Sequence, residues 1–355
     1  MHHLQITNTN TPINNTEVFV IEMKHSCGTK ATITNYGAII MKYEVVNTNN
    51  ELQDIVLGFG TVVEYNQTAY RAAYPYFGAI IGRCANRIKD GAFTLNNITY
   101  QLAQNLTTNN LHGGNSGFDS KVWTIIDHGT LPYPFVVLQY ISPHLEEGFP
   151  GQLTTTVTYT LLNNELQYTI KATTTATTIV NMAQHTYFNL NENTATNILE
   201  HWVTIPATQY LEQDTTQCPT GKCLSITNTE YDFAKAKKIV PNSLTKDDLI
   251  NWNGYDVSFV LPYTNNELNL AATCTNTTNT ITLQVYTTQP IVHLYTGKWI
   301  PNVIGKYNVP YSEYSGICFE TQQHPNGINV PTFPTTILNP NEQYWQKNSY
   351  KVICK

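Results

Sequence analysis

Five short segments place polar or charged side chains inside apolar or glycine-rich sequence. Two histidines, a glutamate, an aspartate, an asparagine and two arginines stand out, because only 12% of the chain is charged. Asn, Asp and Arg bind vicinal hydroxyls through planar groups, and His and Glu can supply an acid and a base near neutral pH. The set predicts a site for a neutral sugar. The segments are Ile80–Ile88 with Arg83, Asn86 and Arg87, Asn110–Phe118 with His112, Asn181–Leu190 with His185, Asn253–Leu261 with Asp256, and Ser315–Gln323 with Glu320.

Taken singly, each residue also has a structural interpretation. His185 could be a hydrogen-bonded core histidine of a strand, and His112 could cap a turn in its Gly-rich loop. Asp256 after Gly-Tyr could be a turn acceptor. A buried Glu320 would need a partner, and a structural arginine could provide it; Arg83 is the nearest arginine to the preceding strand.

Several catalytic motifs are missing from the sequence. It contains no G-x-G-x-x-G or Walker loop, no H-E-x-x-H or H-x-H, and no G-x-S-x-G. Cys218 and Cys223 lie in CPTGKC, whose spacing does not suit a zinc knuckle, so they are interpreted as two loop thiols. We therefore expect no cofactor and no metal.

The elements that must position these residues are strands. Leu153–Leu161 and Leu166–Ala172 alternate apolar and polar residues around a short LNNE turn, which predicts a hairpin. Phe93–Leu102 predicts a second hairpin around Asn96 and Asn97, and Thr280–Tyr286 alternates in the same way. No βαβ rhythm or linker divides the chain. The sequence predicts an all-β protein, one large antiparallel β-sandwich over residues 1–355, with short helices only at Asp232–Val240 and Ser243–Trp252.

Charge and hydropathy exclude several partners. The chain has 19 Lys and Arg against 25 Asp and Glu, a net charge of −6, and no basic stripe, so nucleic acid and anionic membranes are not expected to bind. No apolar run approaches the roughly 18 residues of a membrane helix, and the first residues lack the apolar core of a signal peptide. The seven cysteines are mostly scattered, which favours reduced thiols and a cytoplasmic location.

An ordered set of motifs resembles the aldose 1-epimerase (galactose mutarotase) family. The resemblance extends from about Ile33 to Tyr350, nearly the whole chain. The motifs are NYGA at Asn35, GRCANRI at Gly82, LHGGNSGFDSKVW at Leu111, HTYFNL at His185, PTGK at Pro219, YDF at Tyr231, GYDVSFVL at Gly254, VYTTQP at Val285, LYTG at Leu294, GICFETQ at Gly316 and LNPNEQY at Leu338.

The resemblance implies a galactose mutarotase-like supersandwich that interconverts the α and β anomers of free hexoses, such as galactose and glucose, without cofactor or metal. It implies that Glu320 is the general base for the anomeric hydroxyl, that His185 is the general acid for the ring oxygen, and that His112 assists there. The residues expected to contact the sugar are the same three together with Asn86, Arg87, Tyr187, Asp256 and Gln289.

Three positions depart from the family pattern: Gln184 before the histidine, and His293 and Lys298 after Pro290. They bear on sugar preference. Two other functions remain open, a hexose-6-phosphate epimerase and a sugar-binding or sensing protein without catalysis. The first would need a phosphate-binding cluster of basic residues, and only KAKK at Lys235 is grouped. The second would not need the acid–base pair. A monomer or weak dimer is expected.

Overall fold

The computed structural model describes residues 1–73, 75–192, 194–240, 252–262 and 266–355, and most of its regular structure is antiparallel β-strand. The strands are β1 His3–Asn8, β2 Phe19–Lys24, β3 Lys30–Thr34, β4 Ile40–Val46, β5 Leu52–Asp54, β6 Ile80–Ile81, β7 Arg87–Ile88, β8 Ala92–Leu95, β9 Ile98–Gln101, β10 Asn110–Leu111, β11 Thr124–Gly129, β12 Phe135–Ser142, β13 Leu153–Leu162, β14 Glu165–Thr174, β15 Thr178–Ile179, β16 Ala183–Gln184, β17 Tyr187–Phe188, β18 Trp202–Thr204, β19 Gln209–Gln213, β20 Pro219–Ser225, β21 Lys237–Lys238, β22 Asp256–Val260, β23 Asn269–Thr275, β24 Ile281–Thr287, β25 Ile291–Tyr295, β26 Val303–Ile304, β27 Pro310–Tyr311, β28 Ile317–Gln322, β29 Ile337–Leu338 and β30 Tyr344–Cys354. The helices are α1 Val62–Tyr65 and α2 Thr68–Ala73, with 3₁₀ turns at Lys89–Gly91, Phe118–Ser120, Glu146–Gly148, Lys306–Asn308 and Gly327–Asn329.

The fold is built around three large sheets. A nine-stranded sheet has the order β11-β12-β13-β14-β30-β24-β23-β18-β21, a six-stranded sheet has the order β17-β28-β25-β22-β19-β20, and β1 to β5 form a five-stranded meander. The short strands pair two by two, β6 with β16, β7 with β10, β8 with β9, β15 with β29 and β26 with β27. The predicted all-β class is confirmed.

Both predicted hairpins form, the first with buried cross-strand pairs and the second around a turn of two asparagines. In β13 and β14 the inward residues pair across the strands, Val157 with Ile170 and Tyr159 with Tyr168, and these four side chains are buried. The second hairpin joins β8 to β9 through Asn96 and Asn97, whose φ angles are 50° and 62°. Asn accepts positive φ better than most residues, and two such residues make the turn that matches strand twist.

One face of the six-stranded sheet joins the main core. Phe319 of β28, Leu294 of β25 and Phe259 of β22 are buried in the same apolar cluster as Leu283 and Tyr168 of the nine-stranded sheet. Because side chains alternate along a strand, the residues between these positions point to the opposite face. That opposite face of the six-stranded sheet carries the cavity described below.

The predicted helix at Asp232–Val240 is wrong. β21 lies in this segment and pairs with β18, Lys238 opposite Trp202, while the Ile239 N–H donates to the His201 carbonyl over 3.0 Å. Pairing at the edge of the large sheet satisfies these backbone groups, and it overrides a weak local helix preference. The second predicted helix, Ser243–Trp252, lies almost entirely outside the described residues. Over the part of the chain that is described, no helix combines the length and hydropathy that crossing a membrane requires.

Candidate active site

A cavity of about 380 Å³ opens on the face of the six-stranded sheet that points away from the main core. Seven of the eight residues predicted to bind or transform a sugar line it, although they come from distant parts of the chain. The lining residues are Ala73, Pro75, Tyr76, Asn86, Arg87, Leu106, Leu111, His112, His185, Tyr187, Gln217, Asp256, His293, Tyr295, Trp299 and Glu320.

Strand register places the polar residues on the cavity side. Glu320 of β28 lies directly opposite His293 of β25, which in turn lies opposite Ser258 of β22. Asp256 is opposite Tyr295 two residues along the same ladder, and therefore on the same face. Their neighbours in sequence point into the main core, so the alternation of the strands separates the cavity groups from the apolar side.

Glu320 and His185 form a buried pair in the wall of the cavity. His185 Nε2 lies 3.4 Å from Glu320 Oε1, and the two residues are 3% and 1% exposed. Burial lowers the pKa of His185, and the negative charge of Glu320 acts in the opposite direction. Among the described residues, no protein atom hydrogen-bonds Glu320 Oε2. A carboxylate and an imidazole facing one space can act as base and acid on the same ligand.

His112 reaches the cavity from a glycine-rich loop. Its Nδ1 atom accepts a hydrogen bond of 3.2 Å from the backbone N–H of Asn86, so the neutral ring carries its proton on Nε2. Burial lowers the pKa of His112 well below its usual value, and nearby His185 and Arg87 act in the same direction. The His112 and His185 rings are 5.3 Å apart and meet edge to face. His112 is therefore a neutral N–H donor beside His185.

Arg87 and Asp256 form a second polar group in the cavity wall. Arg87 Nη2 donates to Asp256 Oδ2 over 3.3 Å and to Gln217 Oε1 over 2.6 Å, and Arg87 Nη1 lies 3.4 Å from Asn86 Oδ1. Burial raises the pKa of Asp256, but the Arg87 charge and a hydrogen bond with His293 outweigh it and hold that pKa far below the usual range. Asp256 is an ionised acceptor facing the cavity.

Sequence reasoning did not assign roles to His293 and Gln217, which both line the cavity. His293 Nε2 contacts Asp256 Oδ1 at 2.7 Å, and its Nδ1 contacts Ser258 Oγ at 2.9 Å. The available signal was the alternation of IVHLY, which puts His293 on the face opposite Val292 and Leu294. No local pattern singled out Gln217.

Gln289 is a correction, since it does not line the cavity. Its Oε1 accepts a hydrogen bond of 3.0 Å from Gln323 Nε2. Gln289 precedes His293 by four residues, about 13 Å along an extended chain. The residues of β25 that line the cavity are His293 and Tyr295.

Arg83 is the structural arginine, as the sequence suggested. It is 2% exposed and donates to Ser142 Oγ and to the carbonyls of Ser142, Pro143, Pro150 and Gly151 over 2.7–3.1 Å. Burial lowers its pKa to about 10. Its hydrogen bonds fix the loop after β12, and none of those partners is Glu320.

Two of the atypical residues lie beside the cavity rather than in its lining. Gln184 Nε2 donates to the Gly78 carbonyl over 2.5 Å, and the Gly78 N–H donates to the His185 carbonyl over 3.0 Å. Gln184 thus supports the backbone that carries His185. Lys298 Nζ instead pairs with Glu313 over 2.9 Å.

His112, His185 and Glu320 are also the described residues that could together hold a metal ion. Their ligand atoms all lie within 4.8 Å of one another. Ligands of tetrahedral zinc stand about 3.4 Å apart, given bonds of roughly 2.0–2.1 Å. His185 Nε2 and Glu320 Oε1 are at this distance from each other, 3.4 Å, while the three ligand atoms together span up to 4.8 Å; the same three groups can instead hydrogen-bond one substrate oxygen.

Aromatic rings complete the wall. Tyr187 and Tyr295 are 5.0 Å and 6.4 Å from the His185 ring, and Tyr76 is 4.7 Å from the His112 ring. Trp299, which is 62% exposed, stands at the opening. Such surfaces can cover the apolar face of a sugar while the polar groups take its hydroxyls.

The chain is similar to known sugar epimerases in sequence and in fold. The family model described as Aldose 1-epimerase matches residues 20–351. The chain is 39% identical over 319 residues to the galactose mutarotase of Sus scrofa, covering 89% of this chain and 88% of that protein. It is 29% identical over 339 residues to the aldose 1-epimerase of Escherichia coli (strain K12), covering 95% of each. The solved structure of galactose 1-epimerase from Lactobacillus acidophilus NCFM superposes with a TM-score of 0.84 at 26% identity, over 100% of this chain and 99% of that one.

Proposed function

The chain belongs to the aldose 1-epimerase family, and we propose that Glu320 and His185 carry out its reaction, the interconversion of the α and β anomers of a free aldose. The observation that carries this assignment is the buried contact of 3.4 Å between His185 Nε2 and Glu320 Oε1 in the wall of the cavity. A potential base and a potential acid therefore face the same cavity of about 380 Å³.

The reaction needs an acid and a base at two different oxygens. A cyclic hemiacetal opens when its anomeric O1–H loses a proton while its ring oxygen O5 gains one. Glu320 takes the first proton and protonated His185 gives the second, so the pair carries one proton in total. Burial makes the His185 imidazolium a stronger acid by lowering its pKa, while the negative charge of Glu320 favours the protonated ring. The open aldehyde then turns about C1–C2, and the same pair closes the ring with roles exchanged.

His112 assists this step without changing its own protonation. Its Nδ1 accepts from the Asn86 N–H, so Nε2–H can donate a hydrogen bond to the sugar, and its low pKa keeps the ring neutral. A fixed donor near the ring oxygen stabilises the charge that develops there. The sugar must keep C1 free to rotate, so its other hydroxyls provide the anchorage. Asp256, Arg87 and Asn86 are proposed to hold them, with Tyr187 against the ring.

The charge of the cavity favours free sugars over phosphorylated ones. Among the described lining residues, Arg87 is the one side chain that carries a permanent positive charge, and Asp256 pairs with it at 3.3 Å. A phosphate would need several unpaired basic groups. We therefore propose free aldohexoses, galactose and glucose among them, as substrates.

Three broader proposals accompany this one. The whole chain, residues 1–355, is proposed to act as a single catalytic domain, as a monomer or weak dimer. A cytoplasmic location is supported by the seven cysteines, all of which are free thiols in the structure. Neither nucleic acid nor a membrane is proposed as a partner.

Polarimetry on freshly dissolved α-D-glucose and α-D-galactose tests the function. Wild-type protein should accelerate the approach to the equilibrium rotation, and Glu320→Gln and His185→Asn should each slow it by about 10²–10⁴-fold. Glu22→Gln and His128→Asn, at exposed positions, are the matched controls and should keep the wild-type rate. A wild-type rate in both cavity variants would refute the assigned roles.

Absence of acceleration by the wild-type protein would refute catalysis. Calorimetry that then detected hexose binding would support the non-catalytic sugar-binding function. Comparison of glucose with glucose 6-phosphate would identify a preference for the phosphorylated sugar.

A further inference from the structure

We infer that His293 is a positioning residue that holds Asp256 for sugar binding. The inference rests on the proposed function of the cavity and goes beyond it, because it concerns a residue that the acid–base reaction does not require. Three contacts carry it: His293 Nε2 with Asp256 Oδ1 at 2.7 Å, His293 Nδ1 with Ser258 Oγ at 2.9 Å, and His293 Nδ1 with Asn86 Nδ2 at 3.4 Å.

The chemistry of the partners determines the tautomer. An ionised carboxylate can only accept hydrogen bonds, so the proton of neutral His293 lies on Nε2 and points to Asp256. Nδ1 is then an acceptor, and the Ser258 hydroxyl and the Asn86 amide can both donate a hydrogen bond to it. All of the ring's hydrogen-bonding capacity is used by protein groups, so His293 acts on the sugar through Asp256 and Asn86.

Ser258, His293 and Asp256 have the composition of a hydrolytic triad, but their order relative to the cavity is reversed. Ser258 is 1% exposed and does not line the cavity, whereas the Asp256 side chain is 17% exposed and does. A serine nucleophile would have to face the substrate. The hydrogen bonds therefore run from buried Ser258 through His293 to Asp256, and the carboxylate is the group that faces the cavity. This order suits the positioning of Asp256 and does not suit hydrolysis.

Asp256 is held on both of its oxygens. His293 engages Oδ1, and Arg87 Nη2 engages Oδ2 over 3.3 Å. Two donors at the two oxygens fix the plane of the carboxylate, and the remaining lone pairs can accept from sugar hydroxyls. Without His293 the carboxylate could rotate about its side-chain bonds, and a binding contact would be lost before the chemical step.

The test separates binding from chemistry. His293→Phe fills the ring volume but donates nothing, and we expect KM for hexose to rise by about tenfold or more while kcat changes little. His293→Gln should restore most of the affinity, because an amide Nε2 reaches about as far as the imidazole Nε2. His324→Phe, the same change at a buried histidine outside the cavity, should leave KM unchanged.

A second measurement does not need turnover. Two-bond ¹H–¹⁵N spectra should show His293 as the Nε2–H tautomer in wild type, and Asp256→Asn should shift that resonance. Calorimetry should show the same loss of hexose affinity in His293→Phe. An Nδ1–H tautomer, or equal hexose affinity in His293→Phe and wild type, would overturn the inference; a failure of catalysis alone would instead contradict the proposed function.

Discussion

Asn86 and His112 are joined by two backbone-mediated hydrogen bonds. The Asn86 N–H donates to His112 Nδ1 over 3.2 Å, and the His112 N–H donates to the Asn86 carbonyl over 3.0 Å. These bonds fix the position of the histidine proposed to assist the reaction relative to the residue proposed to bind the sugar. Because His112 Nδ1 accepts from the Asn86 N–H, the proton of the neutral ring lies on Nε2, where a ligand can accept it.

Removal of the His112 donor should slow the reaction. We expect His112→Phe to lower kcat/KM for α-D-galactose by about 10²-fold, the typical effect of losing one donor that stabilises developing charge. Polarimetric progress curves measure it. His128→Phe, at an exposed position, serves as the control. A loss smaller than about threefold in His112→Phe would show that the ring has no role in the chemical step.

Gly113 allows the His112 loop to approach β6. Its φ is +90°, and a Cβ atom there would lie 2.0 Å from the Gly82 carbonyl oxygen. Gly113→Ala should displace the loop and reduce kcat by at least tenfold, since small displacements of catalytic groups are costly. In Gly60→Ala the added Cβ meets nothing closer than Glu64 Oε2 at 3.9 Å, so this variant should keep its activity. Equal activity of the two variants would contradict the steric argument.

The two arginines of GRCANRI should respond differently to lysine. Arg83→Lys loses most of the hydrogen bonds to the loop after β12, and we expect the free energy of unfolding to fall by about 3 kcal/mol in urea titrations. Arg87→Lys should instead raise KM, since it loses the forked contact with Asp256 and Gln217. The assignments would be wrong if Arg83→Lys changed KM alone, or if Arg87→Lys changed only stability.

Buried His201 should make the protein less stable in acid. It is fully buried, its Nε2 accepts from the Leu190 N–H over 3.1 Å, and burial lowers its pKa to about 4. The unfolded chain, with a His pKa near 6.5, binds a proton that the folded state refuses, so stability falls as the pH drops from 6.5 towards 4. One such group contributes about 2 kcal/mol to the difference between pH 7 and pH 4.5.

Urea unfolding of His201→Gln at both pH values tests this expectation. The difference in unfolding free energy between pH 7 and pH 4.5 should shrink by about that amount relative to wild type. His128→Gln, which removes an exposed histidine, should leave the difference as it is. An unchanged difference in His201→Gln would mean that His201 titrates normally in the folded protein.

The sequence by itself determined the hairpins and the types of chemical group in the cavity. Alternation in β13 and β14 and the paired asparagines of the β8–β9 turn are local signals, and both hairpins formed as predicted. Glu320, His185 and Asp256 were recognisable because a charged or imidazole side chain is costly in apolar sequence unless it has partners. The same reasoning separated Arg83 from the cavity.

The tertiary structure decided which side chains from distant segments lie next to one another. His293, rather than Gln289, reaches the cavity because β25 pairs with β28 in the register that sets His293 opposite Glu320. Gln217 meets Arg87 across a gap of 130 residues, and Lys238 is in a strand because Trp202 pairs with it. Which side chains meet depends on pairings between distant segments, and the free energy of those pairings is not contained in any local stretch of the chain.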